Sequence, residues 1–130
     1  MAASQVVARF QDGRVVKGIT SNFLPTREGF HVQTPEGEVV PLVQSELKAL
    51  YFVRDLAGDP TRRINNRFDP TRPVAGRRIE VVFDDGEVMA GTTQGYQPNR
   101  PGFFVFPADA GCNNERCFVI ATATRRVTPL

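Results

Sequence analysis

The sequence predicts an all-β protein made of two tandem copies of one small, five-stranded, barrel-like unit. Three observations predict it. First, residues 6–32 (VVARFQDGRVVKGITSNFLPTREGFHV) align without a gap on residues 79–105 (IEVVFDDGEVMAGTTQGYQPNRPGFFV), at a fixed offset of 73. Second, in each copy alternating apolar residues run into Asp-Gly, a strong short-range hairpin signal. Third, each copy carries a glycine inside its second strand, Gly18 or Gly91, which suggests a bulge or sharp bend where a small barrel turns its corner. The matches fall on positions with distinct physical jobs: Phe10 on Phe83, Asp12-Gly13 on Asp85-Gly86, Val15 on Val88, Thr20 on Thr93, Phe23 on Tyr96, Pro25 on Pro98, Gly29-Phe30 on Gly102-Phe103 and Val32 on Val105.

The elements follow in order. Val6, Ala8 and Phe10 alternate with Val7, Arg9 and Gln11, the period of a strand. Asp12-Gly13 reads as a two-residue turn, because glycine accepts positive φ without steric cost. Arg14 to Phe23 is a second strand, Pro25 to Gly29 a loop, and Phe30 to Gln33 a third strand. Pro35-Glu36-Gly37 is another turn. Glu38 to Val43 is a fourth strand, placed at an edge by Pro41. Ser45 to Leu47 reads as one helical turn capped by Ser45, and Ala49 to Val53 as a fifth strand. The second copy keeps this plan to residue 105, after which PADAGCNNER makes a longer turn. Its last two strands are Cys117 to Ala121 and Arg125 to Thr128. The expected organisation is a first unit over 1–55, a connector over 56–76 and a second unit over 77–130.

Composition narrows the function. With 41% apolar and 23% charged residues the chain reads as globular. No apolar run approaches the ~18 residues of a membrane span, and the start, MAASQVVARF, lacks a basic region followed by an apolar stretch. A cytoplasmic protein with no membrane partner is expected. The net charge of +2 does not advertise nucleic-acid binding. Of sixteen basic residues only Lys17 and Lys48 are lysine. High genomic GC content gives that bias without function, and arginine forks also suit carboxylate and phosphate recognition. Cys112 and Cys117 are two thiols on a loop and the strand after it. Two thiols cannot close a tetrahedral zinc site, and His31, the only histidine, lies far off in sequence. Free thiols in a reducing cytoplasm are expected, with a disulfide across the loop left open. No metal, cofactor or catalytic residue is expected: there is no phosphate-cradling glycine loop and no Ser-His-Asp or Cys-His set. Turn chemistry explains Asp12 and Asp85.

A five-stranded unit with a bent second strand resembles SH3-like and Sm-like barrels. The pattern Ala8, Phe10, Asp12-Gly13, Gly18, Phe23, repeated as Val81, Phe83, Asp85-Gly86, Gly91, Tyr96, resembles the first half of the Sm motif. The RNA-contacting Arg-Gly step of its second half is missing from VPLVQSELKALYFV and CFVIATATRRVTPL, and fold does not imply function. Leu47 to Asp55 and Gly95 to Val119 are similar to the LKAxxFVRD-like and GYxPNRPGFFxFPAD…NNxR-FV segments of an uncharacterised bacterial family, sometimes found beside signalling domains. That resemblance implies a bacterial module.

The candidate contact residues lie in the connector and the repeat loops. Residues 54–78 hold seven arginines, offset by three aspartates, and two Asp-Pro-Thr-Arg copies. The segment reads either as a solvated linker, strapped by Ile64 and Phe68, or as a basic docking strip. In the second case Arg62, Arg63, Arg67 and Arg72 meet an acidic partner or phosphates and Phe68 stacks. In the second copy Asn99 and Arg100 lie in the loop before Phe103-Phe104. Phe30 and Phe103 are expected inside, with His31 and Phe104 outward. Phe104 is then either an exposed binding aromatic or buried against the sister unit. Asn114 and Arg116 sit on the longer turn, where contact residues concentrate. The expected function is a non-catalytic adaptor or regulatory module that engages a protein partner through barrel edges, repeat loops and connector. The alternatives are an Sm-like nucleic-acid binder, with Arg77 and Arg78 joining the connector arginines, and a small-ligand sensor using the cleft between the copies.

Overall fold

In a computed structural model, residues 3–58, 65–71, 76–97, 99–109 and 111–130 are described. Strand β1 (Ser4–Phe10) pairs antiparallel with β2 (Val15–Thr20), from Ser4↔Thr20 to Arg9↔Val15. The turn between them holds three residues rather than the two expected. The Phe10 N–H donates to Arg14 O at 2.9 Å and the Gly13 N–H to Phe10 O at 3.1 Å, so Gln11, Asp12 and Gly13 lie outside the ladder. Gly13 closes the loop at φ +96°, a region that L side chains avoid, and the Asp12 carboxylate accepts the Arg14 N–H at 3.0 Å. The same closure recurs at Asp84-Asp85-Gly86, where Phe83 N–H meets Glu87 O at 2.8 Å.

β3 (Gly29–Gln33) and β4 (Val39–Val43) form the next hairpin, and a 3-10 turn at Gln44–Glu46 leads into β5 (Leu47–Val53), which returns to β1. Ser45 does not cap that turn: Val43 stands at the cap position with no side-chain bond, and the Glu28 carboxylate accepts the Ser45 N–H at 2.7 Å. Gln44 is buried, and its amide donates to Leu24 O at 2.9 Å and Arg27 O at 2.7 Å, tying down the β2–β3 loop. The plan is then repeated by β6 (Arg77–Phe83), β7 (Val88–Thr93), β8 (Gly102–Pro107), β9 (Asn114–Ile120), a 3-10 turn at Ala121–Ala123 and β10 (Thr124–Pro129).

The described residues form one antiparallel sheet of ten strands in the order β10-β6-β7-β8-β9-β5-β1-β2-β3-β4, and the sheet does not close. Two tandem five-stranded barrels were expected; in the structure β5 pairs with β9 (Ala49↔Val119, Leu50↔Phe118, Tyr51↔Cys117) and joins the two halves in one open sheet. The physical reason lies in the two strands. Along each, successive side chains point to opposite faces, and both LKALYFV and CFVI are apolar at either parity. Leu50, Phe52, Phe118 and Ile120 enter one core with Val6, Ala8, Phe10, Phe23, Phe30, Val32 and Leu42. Ala49, Tyr51, Val53, Cys117 and Val119 enter the other with Ile79, Val81, Phe83, Met89, Phe103 and Val105. A strand buried on both faces needs a neighbour over each.

Of the bulge or sharp bend expected at Gly18, the bulge is absent. The β1–β2 register runs through it unbroken, Val6↔Gly18 and Val7↔Lys17. A Cβ there would lie 2.2 Å from Gln33 O, so β3 crosses too close for any side chain. Gly91 meets Phe106 O at 2.3 Å in the same way. Register shifts fall instead where β5 meets β1, between Arg9 and Phe10, where β10 meets β6, between Thr124 and Arg126, and where β5 meets β9, between Phe52 and Val53. Among the described residues no helix is long and apolar enough to cross a membrane.

Gly18→Ala is expected to destabilise the protein by about 1–3 kcal/mol through overpacking. At Gly29 the nearest atom to a new Cβ is Leu42 O at 4.0 Å, so Gly29→Ala should stay within about 0.5 kcal/mol of wild type. Urea unfolding of the two variants, side by side, checks this.

Candidate functional site

Residues directly opposite one another in neighbouring strands share a face of the sheet. Lys17 is opposite Val7, Val7 opposite Tyr51, and Tyr51 opposite Cys117, so these four form one row across β2, β1, β5 and β9. Arg9, two residues along from Val7, lies on the same face. A cleft of about 680 Å³ opens over this face. Its floor is apolar: Val7, Tyr51, Val53 and Met89 belong to the core beneath. Its walls are Arg9, Lys17 and Lys48 from the first half, and Glu87 and Val88 at the start of β7. Leu56 and Asn66 from the connector, with Asn113 of the long β8–β9 turn and Asn114 at the start of β9, complete the rim; Asn114 and Arg116, expected on that turn, lie in the strand.

Lys48 pins the two halves across the cleft. Its side chain is only 12% exposed, its Nζ lies 2.7 Å from Asp85 Oδ2 and 2.8 Å from Glu87 Oε1, and it sits 4.7 Å from the centre of the Phe83 ring. The hydrogen bond from Lys48, then that from the Glu87 N–H, holds the Asp85 carboxyl below the usual carboxylate range. The Tyr51 hydroxyl donates to Glu87 Oε1 at 3.3 Å; burial first, and the Glu87 charge second, push that phenol well above its ordinary value, so it stays neutral. The other two cations differ. Arg9 packs over the Tyr51 ring at 5.8 Å, and Lys17 donates to the Leu56 carbonyl at 3.2 Å. Among the described residues neither has a carboxylate within ion-pair distance.

The rim is built by side chains that imitate backbone. Asn66 accepts the Ala90 N–H at 3.3 Å and donates to Val88 O at 3.1 Å, which lays the connector along β7. Asn113 exchanges bonds with Asp55, donating to its O at 2.7 Å and accepting its N–H at 2.9 Å. The Arg54 guanidinium donates to Cys112 O. The long turn is thereby fastened to the chain leaving β5. Both cysteines are buried, and the Cys112 thiol donates to Asn114 O at 3.3 Å. Burial pushes the Cys117 thiol well up, away from the thiolate that nucleophilic or metal-binding chemistry needs.

The residues expected to make contacts are scattered. Arg62, Arg63, Arg72 and Ile64 lie outside the described residues, as does Pro98 of the paired loops. Arg67 is exposed, and Phe68 is half-buried beneath the Arg78 guanidinium at 4.7 Å. Asn99 and Arg100 are exposed on the β7–β8 loop, where Arg100 Nε donates to Gln97 Oε1 at 3.1 Å. Asn114 lines the cleft. Of the two places expected for Phe104, the structure shows the one packed against the other half, and Arg116 lies over the same aromatic cluster. Alternation on β8 turns Phe104 to the other face, where the β5–β9 pairing lays the first half over it; its ring lies 5.0 Å from Phe118 and 6.0 Å from Phe52. Arg116 stacks on Phe52 at 4.3 Å and on Phe104 at 4.9 Å. Arg9, Lys17, Lys48, Tyr51 and Glu87 are brought into the site by the structure alone. Strand alternation puts Arg9 with Val7, but only the cross-strand register adds the rest.

Residues 2–130 match the family of unknown function DUF6982, and the chain belongs to that family. No curated protein and no solved structure matches it.

The Asp85 interaction favours the ionised carboxylate, so its contribution to stability is complete above the unfolded value of about 3.9 and is lost as pH falls through the lower folded value. With the Asp85 side chain 55% exposed, that contribution is at most about 1 kcal/mol. The urea midpoint of the wild type is expected to fall between about pH 5 and pH 2 more than that of Lys48→Met. Parallel curves for the two proteins would show that the pin adds no stability.

Proposed function

We propose that this DUF6982 chain is a non-catalytic binding module, built from two copies of one small SH3-like or Sm-like unit, whose ligand site is the cleft between them. Three features support the duplication. The strand order β5-β1-β2-β3-β4 of one half recurs as β10-β6-β7-β8-β9 in the other. The β3–β4 pair Phe30↔Leu42 recurs as Phe103↔Val119. The backbone bond Gln44 N–H to Glu28 O recurs as Ala121 N–H to Pro101 O. The offset is 73 residues up to the third strand and 77 after it, the four extra residues falling in the long turn.

The observation that carries the site is the pair of cations Arg9 and Lys17, which meet no carboxylate among the described residues, above an apolar floor. The lining mixes these cations and three asparagines with apolar side chains, and convergent polar groups of this kind fix the orientation of a small ligand. The ligand class this favours is a small organic anion: its carboxylate or phosphate meets Arg9 and Lys17, and its body lies on Tyr51, Val53 and Leu56. Lys48 is already neutralised by Asp85 and Glu87, so it shapes the wall rather than drawing the anion. A protein partner is the second reading. It is favoured by Ile19, Val39 and Val43, exposed together on the outer face of β2–β4.

A thermal-shift screen over nucleotides, sugar phosphates and polycarboxylates should find an anion that raises Tm, since a ligand selective for the native state stabilises it. Arg9→Ala or Lys17→Ala should weaken that ligand about 10- to 100-fold, the value of one charge-assisted hydrogen bond. An anion panel that leaves Tm unmoved, or binding indifferent to both substitutions, removes the cleft as the site.

A further inference from the structure

We infer that β4 and β10 are the two sides of a latent head-to-tail interface between copies of this chain, held shut by Pro41 and Pro129. β4 and β10 are the outermost strands of the sheet. β4 stands to β3 as β9 stands to β8: His31↔Pro41 matches Phe104↔Phe118. β10 stands to β6 as β5 stands to β1: Ile79↔Pro129 matches Val6↔Phe52. The β5–β9 junction inside the chain thus has a second, unused version, in which β10 of one copy receives β4 of the next. In that version Leu50↔Phe118 becomes Val127↔Pro41, and Phe52↔Arg116 becomes Pro129↔Val39.

Backbone bonding decides whether it forms. In an antiparallel ladder, hydrogen-bonded and non-bonded pairs alternate. The β3–β4 ladder is bracketed by bonded pairs, Gln44 N–H to Glu28 O at 2.8 Å and Thr34 N–H to Glu38 O at 2.8 Å. His31–Pro41 is therefore a non-bonded pair, and the Pro41 nitrogen faces the free edge. The bond from Leu130 N–H to Arg78 O at 3.0 Å sets the parity of β10 in the same way, so the Pro129 nitrogen also faces outward. Applied to the junction, the rule points the N–H of Phe118 toward β5 and that of Phe52 toward β9. Each outer edge thus carries proline at a position where the junction carries phenylalanine and a donor.

The side chains follow the same logic. A cavity of about 430 Å³ lined by Ile79, Tyr96 and Pro129 is the counterpart of the surface at Val6, Phe23 and Phe52 on which Phe104 packs. The socket exists, but the residue equivalent to Phe104 is His31. The alanine and tyrosine of β5, Ala49 and Tyr51, have become Arg126 and Thr128 on β10. Prolines and charges are the usual means of blunting a sheet edge.

Sedimentation velocity over a concentration series tests this on the full chain. Wild type should sediment as one species at all concentrations. Pro41→Phe/Pro129→Phe should rise in average mass about twofold or more with concentration, because a heterologous contact propagates into rings or filaments. Adding Val43→Lys, a charge on the edge of β4, should restore the wild-type profile and so separate edge pairing from general aggregation. If the double variant misfolds, Pro41→Val, a strand-forming residue on an exposed edge, should give the same change more weakly. Wild type that already associates and is dispersed by Val43→Lys would overturn the inference. So would folded variants that sediment as wild type. Neither result depends on ligand in the cleft.

Discussion

Pairing β5 with β9 sets side by side two strands that are apolar on both faces, and neither face can be left to water. Burying a side chain the size of leucine or phenylalanine contributes about 1.5–3 kcal/mol. Leu50, Phe52, Phe118 and Ile120 supply that to one core, and Tyr51, Val53 and Val119 to the other. Each half of about 60 residues is near the lower size limit for an independent core. Here each half borrows from the other: Phe118 and Ile120 complete the first core, and Val7, Ala49, Tyr51 and Val53 complete the second.

The cleft is a consequence of that junction. Because the second half packs on the face of β1 and β5 that carries Val7 and Tyr51, the neighbouring residues of that face, Arg9 and Lys17, are left at its margin. Lys48 leaves β5 on the same side and meets the acidic β6–β7 turn at Asp85 and Glu87. In the first half the equivalent turn carries Asp12, whose carboxylate is bonded to Arg14 beside it at 2.8 Å. One Asp-Gly turn thus satisfies its acid locally, and the other spends it on the partner half. The four extra residues of the β8–β9 turn add the last wall through Asn113 and, at the start of β9, Asn114.

Most of the strands were legible because the signals behind them are local. Alternation located β1 and β6, Asp-Gly located their turns, and Pro41 marked β4 as an edge. The three-residue loops, the missing Ser45 cap and the role of Gly18 depended on backbone bonds and close approaches that a residue string does not encode. The site was the least legible part. Arginine clusters drew attention to the connector, yet Arg9 and Lys17 stand singly in β1 and β2 and become neighbours of Glu87 only through the β5–β9 pairing. Phe104 shows the same limit: alternation placed it outward from its own half, and only the junction shows what covers that face.

On the proposed duplication, a unit that joins its own copy by strand pairing carries a hazard in the same geometry. Whatever lets the fifth strand of one unit accept the fourth strand of the next operates equally between molecules. The inner and outer versions of these strands must therefore differ, and the cheapest place to differ is where a backbone donor meets the partner. Phe52 and Phe118 hold those places inside; Pro129 and Pro41 hold them outside. A proline there leaves the ladder to its own half untouched, since its nitrogen points away from β6 or β3, so the block costs the folded monomer little. The exposed valines of β4 can then stay apolar, because the strand that displays them cannot extend the sheet.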